Sequence, residues 1–401
     1  MKILHINTSY GTFSTGTIMK NIHKCAEAAG FDSYIAFQKG EGELGSHSIE
    51  IGNYWDYKTH ALLVRIAGKQ AYYSRCSTSR FLKRVDEIKP DIVHFHNVHN
   101  NYLNLNMLLQ YLAKNRIKTV ITMHDCWLFT GGCFHYASVG CEKWKTGCGN
   151  CPKRYQDYPA YLYDASASIL KDRKKYLGAI EGLTLVGCSE WIANECKQSV
   201  LKDKNIICIH NGFDIKRFKP TPSNLRERLG LMGKYVILGP AGKWLLDINK
   251  PTLDYFINKL PHDSVLLLFG SNGKEPVLNE KVMMYGYTKN TEELVQLYSM
   301  ADVMINVSRE DTLSSLNLEC QACGTPVVTY DATGSKETVD GVSGFAVETG
   351  NYEQLYVAYE KVRAITKSDL TDGCRNWIVE NFDSNKNYQK YIELYNAMTG
   401  K

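Results

Sequence analysis

Two carboxylates, Asp311 and Glu319, bracket a seven-residue segment in the second half of the chain. A helix that begins near Ser315 would place Asp311 in the loop at its N-terminus and Glu319 one turn inside it. The carboxylates could accept hydrogen bonds from sugar hydroxyls, and the free amides of a helix N-terminus favour phosphate. The residue types therefore indicate a site for a phosphorylated sugar, although the spacing alone fits a solvated helix face better.

A phosphate-binding loop is also indicated over residues 9–17, after the first apolar segment. Gly11 and Gly16 allow a ligand to approach the backbone closely, and a helix is predicted over 17–29 with a hydroxyl residue as its cap. A plain connection between a strand and a helix is the alternative interpretation of this loop.

Histidines lie at the ends of two apolar segments. His94, His96 and His99 follow one another, and His124 ends the next segment. Alternation along a strand places His94 and His96 on the same face. A metal-dependent hydrolase could use these four side chains to hold zinc or manganese, so this class of enzyme is an alternative function.

Four of the thirteen cysteines lie close together in the sequence, at Cys133, Cys141, Cys148 and Cys151. Four thiolates suffice for a closed tetrahedral zinc site, so we predict a structural zinc in the cysteine-rich segment 126–152. His135 could replace one of the ligands. Buried free thiols and disulfides are the alternatives. The odd number of cysteines and the lack of a secretory signal favour a reducing, cytoplasmic setting.

Short β-branched and aliphatic segments recur along the chain with helical stretches between them. Near-continuous apolar strands that alternate with helices are typical of a parallel, doubly wound sheet covered on both faces. Strands of a first series are predicted at 2–7, 33–37, 91–95, 118–124, 183–189 and 206–210. Strands of a second series are predicted at 235–240, 264–269, 281–286, 302–307 and 326–329. Two such series predict two Rossmann-like domains of the α/β class.

A turn and a proline-stiffened stretch over 211–223 separate the two series. We predict an N-terminal domain over 1–214 and a C-terminal domain over 215–374. The remaining residues, 375–401, are predicted to form helices that return to the N-terminal domain.

The composition is that of an ordinary globular protein, with 401 residues, 44% hydrophobic and 22% charged side chains. The net charge of +5 is too small to indicate a nucleic-acid-binding protein, so no nucleic-acid partner is expected. No apolar run approaches the ~18 residues that a membrane span requires. We therefore expect a soluble protein, or one that attaches only to a membrane surface.

The order of these segments resembles the retaining nucleotide-sugar glycosyltransferases of family GT4, which have the GT-B fold. The resemblance extends over nearly the whole chain. Besides the acid-x7-acid segment, it rests on 91–96, 187–191, 209–214, 324–328, 334–337 and 341–345. The segment from His124 to Pro152 further resembles bacterial exopolysaccharide enzymes of the colanic-acid type. The resemblance implies two Rossmann-like domains that face an interdomain cleft.

The resemblance also implies the reaction, in which a hexose moves from a UDP- or GDP-sugar to a hydroxyl of a polysaccharide or a lipid-linked oligosaccharide. Glu319 would accept the ribose hydroxyls, while Asp311 would orient the donor sugar. The implied catalytic residues are His124, Lys243, Lys250 and Asp311. The implied donor-binding residues are Gly16, Lys243, Lys250, Asp311, Thr312, Leu313, Ser314 and Glu319. No cofactor is implied for catalysis, because lysines and helix dipoles meet the charge of the diphosphate.

Three positions depart from the family pattern. Asp311 stands where glutamate is usual, Pro240 where arginine is usual, and Pro251 where glycine is usual. Because Pro240 replaces the arginine, Lys243 is assigned as its substitute, although an ammonium lacks the bidentate fork of a guanidinium. A catalytically dead sugar-binding protein with the GT-B fold is therefore a second alternative function.

A basic stretch with interspersed aromatic and aliphatic residues runs from Trp55 to Arg84. Such a stretch can lie on an anionic membrane surface, and a solvated helix over the first sheet is the alternative. A lipid-linked acceptor would be met at the inner face of the membrane. We therefore expect a cytoplasmic enzyme that attaches peripherally to that face.

Overall fold

The computed structural model describes residues 1–40, 45–157, 160–273 and 278–400. The chain divides into two compact units. The first unit comprises Met1–Asn211 with Asn385–Lys401, and the second unit comprises Gly212–Ser384. Each unit is built around one parallel β-sheet, as the sequence predicts.

Seven strands form the sheet within the described residues of the first unit. They are β1 (Lys2–Tyr10), β2 (Asp32–Gly40), β3 (Ser48–Glu50), β4 (Ile92–Phe95), β5 (Lys118–Met123), β6 (Leu183–Gly187) and β7 (Asn205–Cys208). Its helices are α1 (Phe13–Ala28), α2 (Tyr54–Ala67), α3 (Arg75–Ile88), α4 (Leu105–Lys114), α5 (Ser166–Gly178) and α6 (Glu190–Cys196). The strand order is β3-β2-β1-β4-β5-β6-β7, so the direction of winding reverses between β1 and β4.

The central strands of this sheet are buried on both faces. In β1, Ile3, Leu4 and Ile6 are fully buried, and so is the polar side chain of His5 between them. β4 is buried at each of its four positions. Burial on both faces is expected of a parallel strand that helices cover on both sides.

Six strands form the sheet within the described residues of the second unit. They are β8 (Tyr235–Pro240), β9 (Ser264–Ser271), β10 (Val282–Gly286), β11 (Val303–Asn306), β12 (Val327–Tyr330) and β13 (Phe345–Val347). The helices are α7 (Leu225–Arg228), α8 (Ala241–Trp244), α9 (Lys250–Lys259), α10 (Thr291–Met300), α11 (Ser315–Ala322), α12 (Tyr352–Arg363) and α13 (Lys367–Asn381). The strand order β10-β9-β8-β11-β12-β13 reverses between β8 and β11, which repeats the plan of the first unit.

The C-terminal helices divide between the units. In α13, Arg375 donates hydrogen bonds to the carbonyl oxygens of Ala322 at 2.7 Å and Phe218 at 3.1 Å, which keeps this helix in the second unit. The last helix, α14 (Ser384–Thr399), buries Tyr391 and Tyr395 in the core of the first unit. The unit boundaries therefore lie after Asn211 and Ser384, against predicted boundaries after 214 and 374.

Two local features differ from the sequence prediction. α1 begins at Phe13 rather than Thr17, and Thr12 at its N-cap makes no side-chain hydrogen bond, so the predicted hydroxyl cap is wrong. The edge strands β3 and β13 were absent from the predicted series. Each has only three residues and none of them is fully buried, so each is too short to show the run or alternation of apolar residues that predicts a strand.

Candidate active site

The loops that follow β8 and β11 form the core of the candidate site. Ligands of open parallel sheets bind at the carboxyl ends of the strands where the strand order reverses, and β8 pairs directly with β11 at that point. The buried side chain of Asn249 ties the two loops together. Its Nδ2 donates to the carbonyl oxygen of Lys243 at 3.0 Å and to that of Val307 at 2.9 Å.

Lys243 and Lys250 lie in the loop region after β8. Lys243 belongs to the short helix α8, which Trp244 anchors by donating its indole N–H to a carbonyl oxygen of β11 at 3.0 Å. Lys250 begins α9, is exposed, and has its Nζ 3.2 Å from the carboxylate of Asp254. Pro251 falls in the first helical turn, where its missing N–H costs no hydrogen bond. The structure brings the two lysines to one loop, and their contact with a diphosphate stays a prediction.

Arg309 is a basic residue of this region that the sequence analysis missed. Its Nε donates to Oδ1 of Asn249 at 2.8 Å, and its Nη2 donates to the carbonyl oxygen of Ile248 at 3.1 Å. Its guanidinium carbon also lies 5.8 Å from the ring centre of Tyr330. These contacts make Arg309 a positioning residue that holds the loop after β11 against the loop after β8.

A third loop, after β12, fixes the backbone of Asp311. The Asp311 N–H donates to Oγ1 of Thr333 at 2.8 Å, and the Asp311 carbonyl oxygen accepts hydrogen bonds from the Thr333 hydroxyl and from the Gly334 N–H. Asp311 thus lies where the loop after β11 meets the loop after β12. Its predicted role toward the donor sugar stays a prediction.

Two buried hydroxyls in these loops have no hydrogen-bond partner among the described residues, Oγ1 of Thr312 and Oγ of Ser335. Leu313 is buried beside them, and Ser314 accepts a hydrogen bond from Nδ2 of Asn306 at 3.0 Å. α11 begins at the next residue, as predicted. A buried hydroxyl without a partner costs about 1–3 kcal/mol, so a ligand that supplied one would recover part of that cost.

Glu319 lies one turn inside α11 and faces Tyr298 of α10. Its Oε2 accepts a hydrogen bond from the Tyr298 hydroxyl at 2.7 Å. Burial raises the pKa of Glu319 to about 7, and the hydrogen bond from Tyr298 offsets only part of this effect. Carboxyl groups with a pKa shifted toward neutrality are concentrated at functional sites, which supports the choice of Glu319 as a candidate.

His124 lies in the first unit, directly after β5. The next residue, Asp125, has its Oδ2 2.9 Å from Nε2 of His99, and its Oδ1 accepts from the Trp127 N–H at 2.9 Å. Burial lowers the pKa of His124 to about 4, so its imidazole is neutral at physiological pH. A neutral imidazole can donate one hydrogen bond and accept another, which suits contact with a sugar hydroxyl.

Gly16 lies in the first turns of α1 and packs on β1. A Cβ added at Gly16 would lie 2.7 Å from Oγ of Ser9, so a glycine permits the close approach of helix and strand. Because α1 begins at Phe13, the unpaired amides of its N-terminus belong to residues 12–15. The structure thus gives Gly16 a packing role, and its role in donor binding stays a prediction.

The histidines that come together are not the predicted set. His5, His94 and His96 bring their ring nitrogens within 4.8 Å of one another, which no other group of three or more potential metal ligands does among the described residues. All three side chains are buried, and His94 uses both nitrogens, with Nδ1 2.7 Å from the Tyr395 hydroxyl and Nε2 2.8 Å from that of Thr122. A hydrolytic metal needs an open coordination position. The metal-dependent hydrolase is therefore not favoured.

The four cysteines predicted to bind zinc, Cys133, Cys141, Cys148 and Cys151, line one small cavity of about 20 Å³ in the first unit. All four are free thiols rather than disulfides. No three of their sulfur atoms lie mutually within 4.8 Å. His135, the alternative ligand, is not among the described residues that line this cavity.

Comparison with known families gives two matches. Residues 15–217 match the model described as Glycosyltransferase Family 4, and residues 241–363 match the model described as Glycosyl transferases group 1. One curated relative is the putative colanic acid biosynthesis glycosyl transferase WcaC of Escherichia coli K12. It is 22% identical over 372 residues, which cover 88% of this chain and 89% of the relative.

Solved structures resemble the chain over its whole length. The sucrose-phosphate synthase from Thermosynechococcus elongatus has a TM-score of 0.71 at 16% identity and covers 100% of this chain and 99% of its own. Anabaena Alr3699/HepE in complex with UDP has a TM-score of 0.68 at 15% identity, and the match covers 99% of this chain and 100% of the HepE chain. The complex of the same protein with UDP-glucose has a TM-score of 0.63 at 16% identity, with the same coverage. At these identities the shared property is the fold, and the predicted pair of Rossmann-like domains of the GT-B type is confirmed.

Proposed function

The chain belongs to glycosyltransferase family 4, and from this membership we propose the reaction that it catalyses. It transfers a hexose from a UDP- or GDP-sugar to a hydroxyl group of a polysaccharide or lipid-linked oligosaccharide, with retention of the anomeric configuration. One observation carries the proposal: three loops meet at the carboxyl edge of the second sheet. There Asp311 lies before the N-terminus of α11 and Glu319 lies one turn inside that helix.

In this proposal the donor nucleotide binds along α11. The ionised carboxylate of Glu319 accepts hydrogen bonds from the two ribose hydroxyls. Ser314 at the N-cap of α11 makes no capping hydrogen bond, so the first amides of this helix are available to phosphate oxygens. The HepE structures with UDP and UDP-glucose support a nucleotide-sugar donor for this fold.

The proposed chemistry uses no carboxylate nucleophile. The bond between the anomeric carbon and the leaving phosphate oxygen breaks, and the acceptor oxygen forms its bond to that carbon on the same face. The proton of the acceptor hydroxyl passes to the departing phosphate oxygen. Negative charge grows on the diphosphate in the transition state, and Lys243, Lys250 and the α11 N-terminus stabilise it electrostatically. His124, being neutral, contributes a hydrogen bond to the donor sugar.

Donor turnover tests this function. The purified full chain is incubated with UDP- and GDP-hexoses, and the release of nucleotide diphosphate is measured with and without polysaccharide or lipid-linked acceptors. Thermal unfolding with each donor gives binding independently, since a ligand at 100 times its Kd stabilises by about 2.7 kcal/mol. Binding without release of diphosphate under every condition would identify the catalytically dead sugar-binding alternative. An anomer-inverted product would contradict retention.

We expect turnover to persist in EDTA. The lysines and the helix N-terminus meet the charge of the diphosphate, so the reaction requires no catalytic metal. Initial rates of diphosphate release are compared in EDTA, in buffer alone and with added Mn²⁺. A complete loss of activity in EDTA that Mn²⁺ restores would contradict this expectation.

The helix α2 carries an exposed apolar surface that suits peripheral attachment to a membrane. Trp55 is 72% exposed and Leu62 is 59% exposed, and Arg65 is exposed on the same helix. The Tyr161 N–H donates to the Arg65 carbonyl oxygen at 2.9 Å, which places a further exposed tyrosine beside the end of α2. In α3, by contrast, Phe81 packs into the core. Of the basic stretch predicted from the sequence, the α2 half is therefore the part that offers an apolar membrane-facing surface.

No helix among the described residues has the length and apolar character to cross a membrane. From its exposed apolar and basic side chains, we propose that the α2 surface binds anionic lipid. The chain should float with liposomes that contain phosphatidylglycerol and dissociate at high salt. Reversing two charges in Arg65→Glu, on α2, with Lys69→Glu, just after it, should weaken binding by at least about 30-fold, since each basic residue contributes about 1 kcal/mol near an anionic surface and each new carboxylate is repelled by it. The matched pair Lys197→Glu with Lys202→Glu, exposed elsewhere in the first unit, should bind as the wild type does. Binding that ignores lipid charge, salt and the α2 variant would show a merely solvated helix.

A further inference from the structure

The segment between β5 and α5 is long and almost without regular structure. Over residues 124–165 it forms only short 3-10 turns among the described residues, yet it buries Trp144 and Phe129 almost completely. Connections of this length without regular structure are uncommon inside a compact unit, and usually they either have a function or are disordered. The cavity lined by the four cysteines lies within this segment.

Tight local geometry directs two of the thiols into that cavity. Gly149 and Asn150, with φ of 147° and 47°, reverse the chain between Cys148 and Cys151. The carboxylate of Asp164 then fixes the second thiol, since its Oδ2 accepts from the Cys151 N–H at 2.8 Å. A Cys-x-x-Cys turn of this kind presents two sulfur atoms to one ion.

Hydrogen-bond donors point at two of the four sulfur atoms. The Gly131 N–H donates to Cys148 and the Lys153 N–H donates to Cys151, while the Thr130 hydroxyl donates to the Cys133 carbonyl oxygen at 2.9 Å. Such donors stabilise a thiolate more than a thiol, because the thiolate carries a full negative charge. Hydrogen bonds to the ligand atoms orient and support the ligands of metal centres.

Positive charge is also placed to balance a thiolate site. Zinc with four thiolates carries two net negative charges. Lys143 lines the cavity, where its Nζ donates to the carbonyl oxygens of Gly149 at 3.0 Å and Asn150 at 3.2 Å. Lys153 is buried next to Cys133 and Cys151, in a neighbouring cavity that all three line, with its Nζ 3.9 Å from Oδ1 of Asp157.

We propose that Cys133, Cys141, Cys148 and Cys151 bind one structural zinc ion that organises the segment after His124. Zinc–sulfur bonds of about 2.3 Å require the sulfur atoms to approach to about 3.8 Å from one another. The cavity must therefore contract around the ion, because no three of the sulfurs lie mutually within 4.8 Å. The site is closed by four protein ligands, so it has no open position for chemistry.

Metal analysis of the full chain tests the site directly. Protein without a histidine tag, expressed with zinc and purified without chelators, should contain about one zinc per chain. Cys141→Ser and Cys148→Ser should reduce this content at least tenfold, and limited proteolysis should then cut the segment after His124. Cys76→Ser, at an exposed cysteine in α3, and His5→Phe, in the buried histidine cluster, should retain the zinc.

The wild-type chain supplies a second readout if the cysteine variants fail to fold. Replacing zinc by Co²⁺ should give the absorption of a tetrahedral tetrathiolate centre, which histidine ligands do not give. Three results would each overturn the proposal. The wild-type chain could contain no metal and have all four of these cysteines as free thiols, or these cysteines could form disulfides in unreduced protein. The bound metal could also be iron accompanied by inorganic sulfide.

Discussion

The Glu319→Gln variant should unfold at a higher temperature than the wild-type chain and bind nucleotide more weakly. Burial raises the pKa of Glu319 from 4.5 to about 7, so above pH 7 the fold contains a carboxylate that water would solvate better. A pKa shift of one unit corresponds to about 1.4 kcal/mol, and we expect the amide to stabilise the second unit by about 1–3 kcal/mol after allowance for partial exposure. The amide has one acceptor atom instead of two, so nucleotide affinity should fall by about 1–3 kcal/mol.

The stability difference should follow pH in a defined direction. The unfolded chain ionises Glu319 near pH 4.5 and the folded chain near pH 7. The contribution of protonated Glu319 to the free energy of unfolding is fully present below pH 4.5, and it is lost as the pH rises through 7. Variant and wild type should therefore be equally stable near pH 4 and differ by a constant amount above pH 7. Over the same interval, nucleotide binding by the wild type should strengthen as the carboxylate forms.

Glu293→Gln is the matched control. Glu293 also accepts a hydrogen bond from a tyrosine, Tyr285, but there the hydrogen bond lowers the pKa of the carboxyl group. Its replacement should not stabilise the chain and should leave nucleotide affinity unchanged. Thermal unfolding from pH 4 to 8 and titration with UDP and GDP measure both properties. A Glu319→Gln chain that melts below the wild type and binds nucleotide equally well would make Glu319 a structural residue only.

The two sheets could be predicted because their central strands are buried on both faces. β8, for example, covers the predicted segment 235–240 from end to end. Edge strands give a weaker signal: β13 has three residues, is partly exposed at all of them, and pairs with β12. The start of α1 was missed for a different reason. Phe13 opens the helix with a φ of 56°, a backbone conformation that residue type does not reveal.

The candidate site could be predicted only where its residues are neighbours in the chain. Asp311 and Glu319 share one loop and one helix, so their spacing carries information. Arg309 and Asn249 are 60 positions apart, and their contact depends on β8 lying beside β11. Thr333 supports Asp311 from 22 positions away, with α11 and β12 between them in the chain. Such positioning residues follow from strand order, which single-sequence periodicity does not give.

The histidines show the same limit. Alternation placed His94 and His96 on one face of β4, and their ring centres lie 4.2 Å apart. His5 joins them because β1 pairs with β4 in a register that sets His5 opposite His94. The groups that face these rings are His23, His124, Tyr391, Tyr395 and Thr122. This buried cluster leads to the prediction with the largest expected effect on stability.

The first unit should lose stability steeply as the pH falls from about 6 to about 4. Burial lowers the pKa of His5 to about 3, and it holds the pKa values of His94 and His96 well below 6.5. At these three positions the unfolded chain binds protons that the folded unit excludes. The contribution of these histidines to the free energy of unfolding is therefore fully present above pH 6.5 and is lost below it. Each of the three groups lowers the free energy of unfolding by about 1.4 kcal/mol per pH unit, and together they lower it by about 4 kcal/mol per pH unit. A typical stability of about 5–15 kcal/mol would be exhausted within a few pH units.

The variant His5→Phe tests the contribution of one of the three histidines to this pH dependence. Both ring nitrogens of His5 lack hydrogen-bond partners among the described residues, so phenylalanine removes an uncompensated polar group as well as a proton-binding site. The variant should be at least as stable as the wild type at pH 7, and its loss of stability should be smaller by about 1.4 kcal/mol per pH unit. Urea unfolding at a series of pH values, followed by hydrogen exchange of β1 and β4 peptides, reports on the first unit separately. His262→Gln, at an exposed histidine of the second unit, should leave that slope unchanged. An identical slope in His5→Phe and the wild type would mean that proton exclusion from this cluster does not control the acid stability of the first unit.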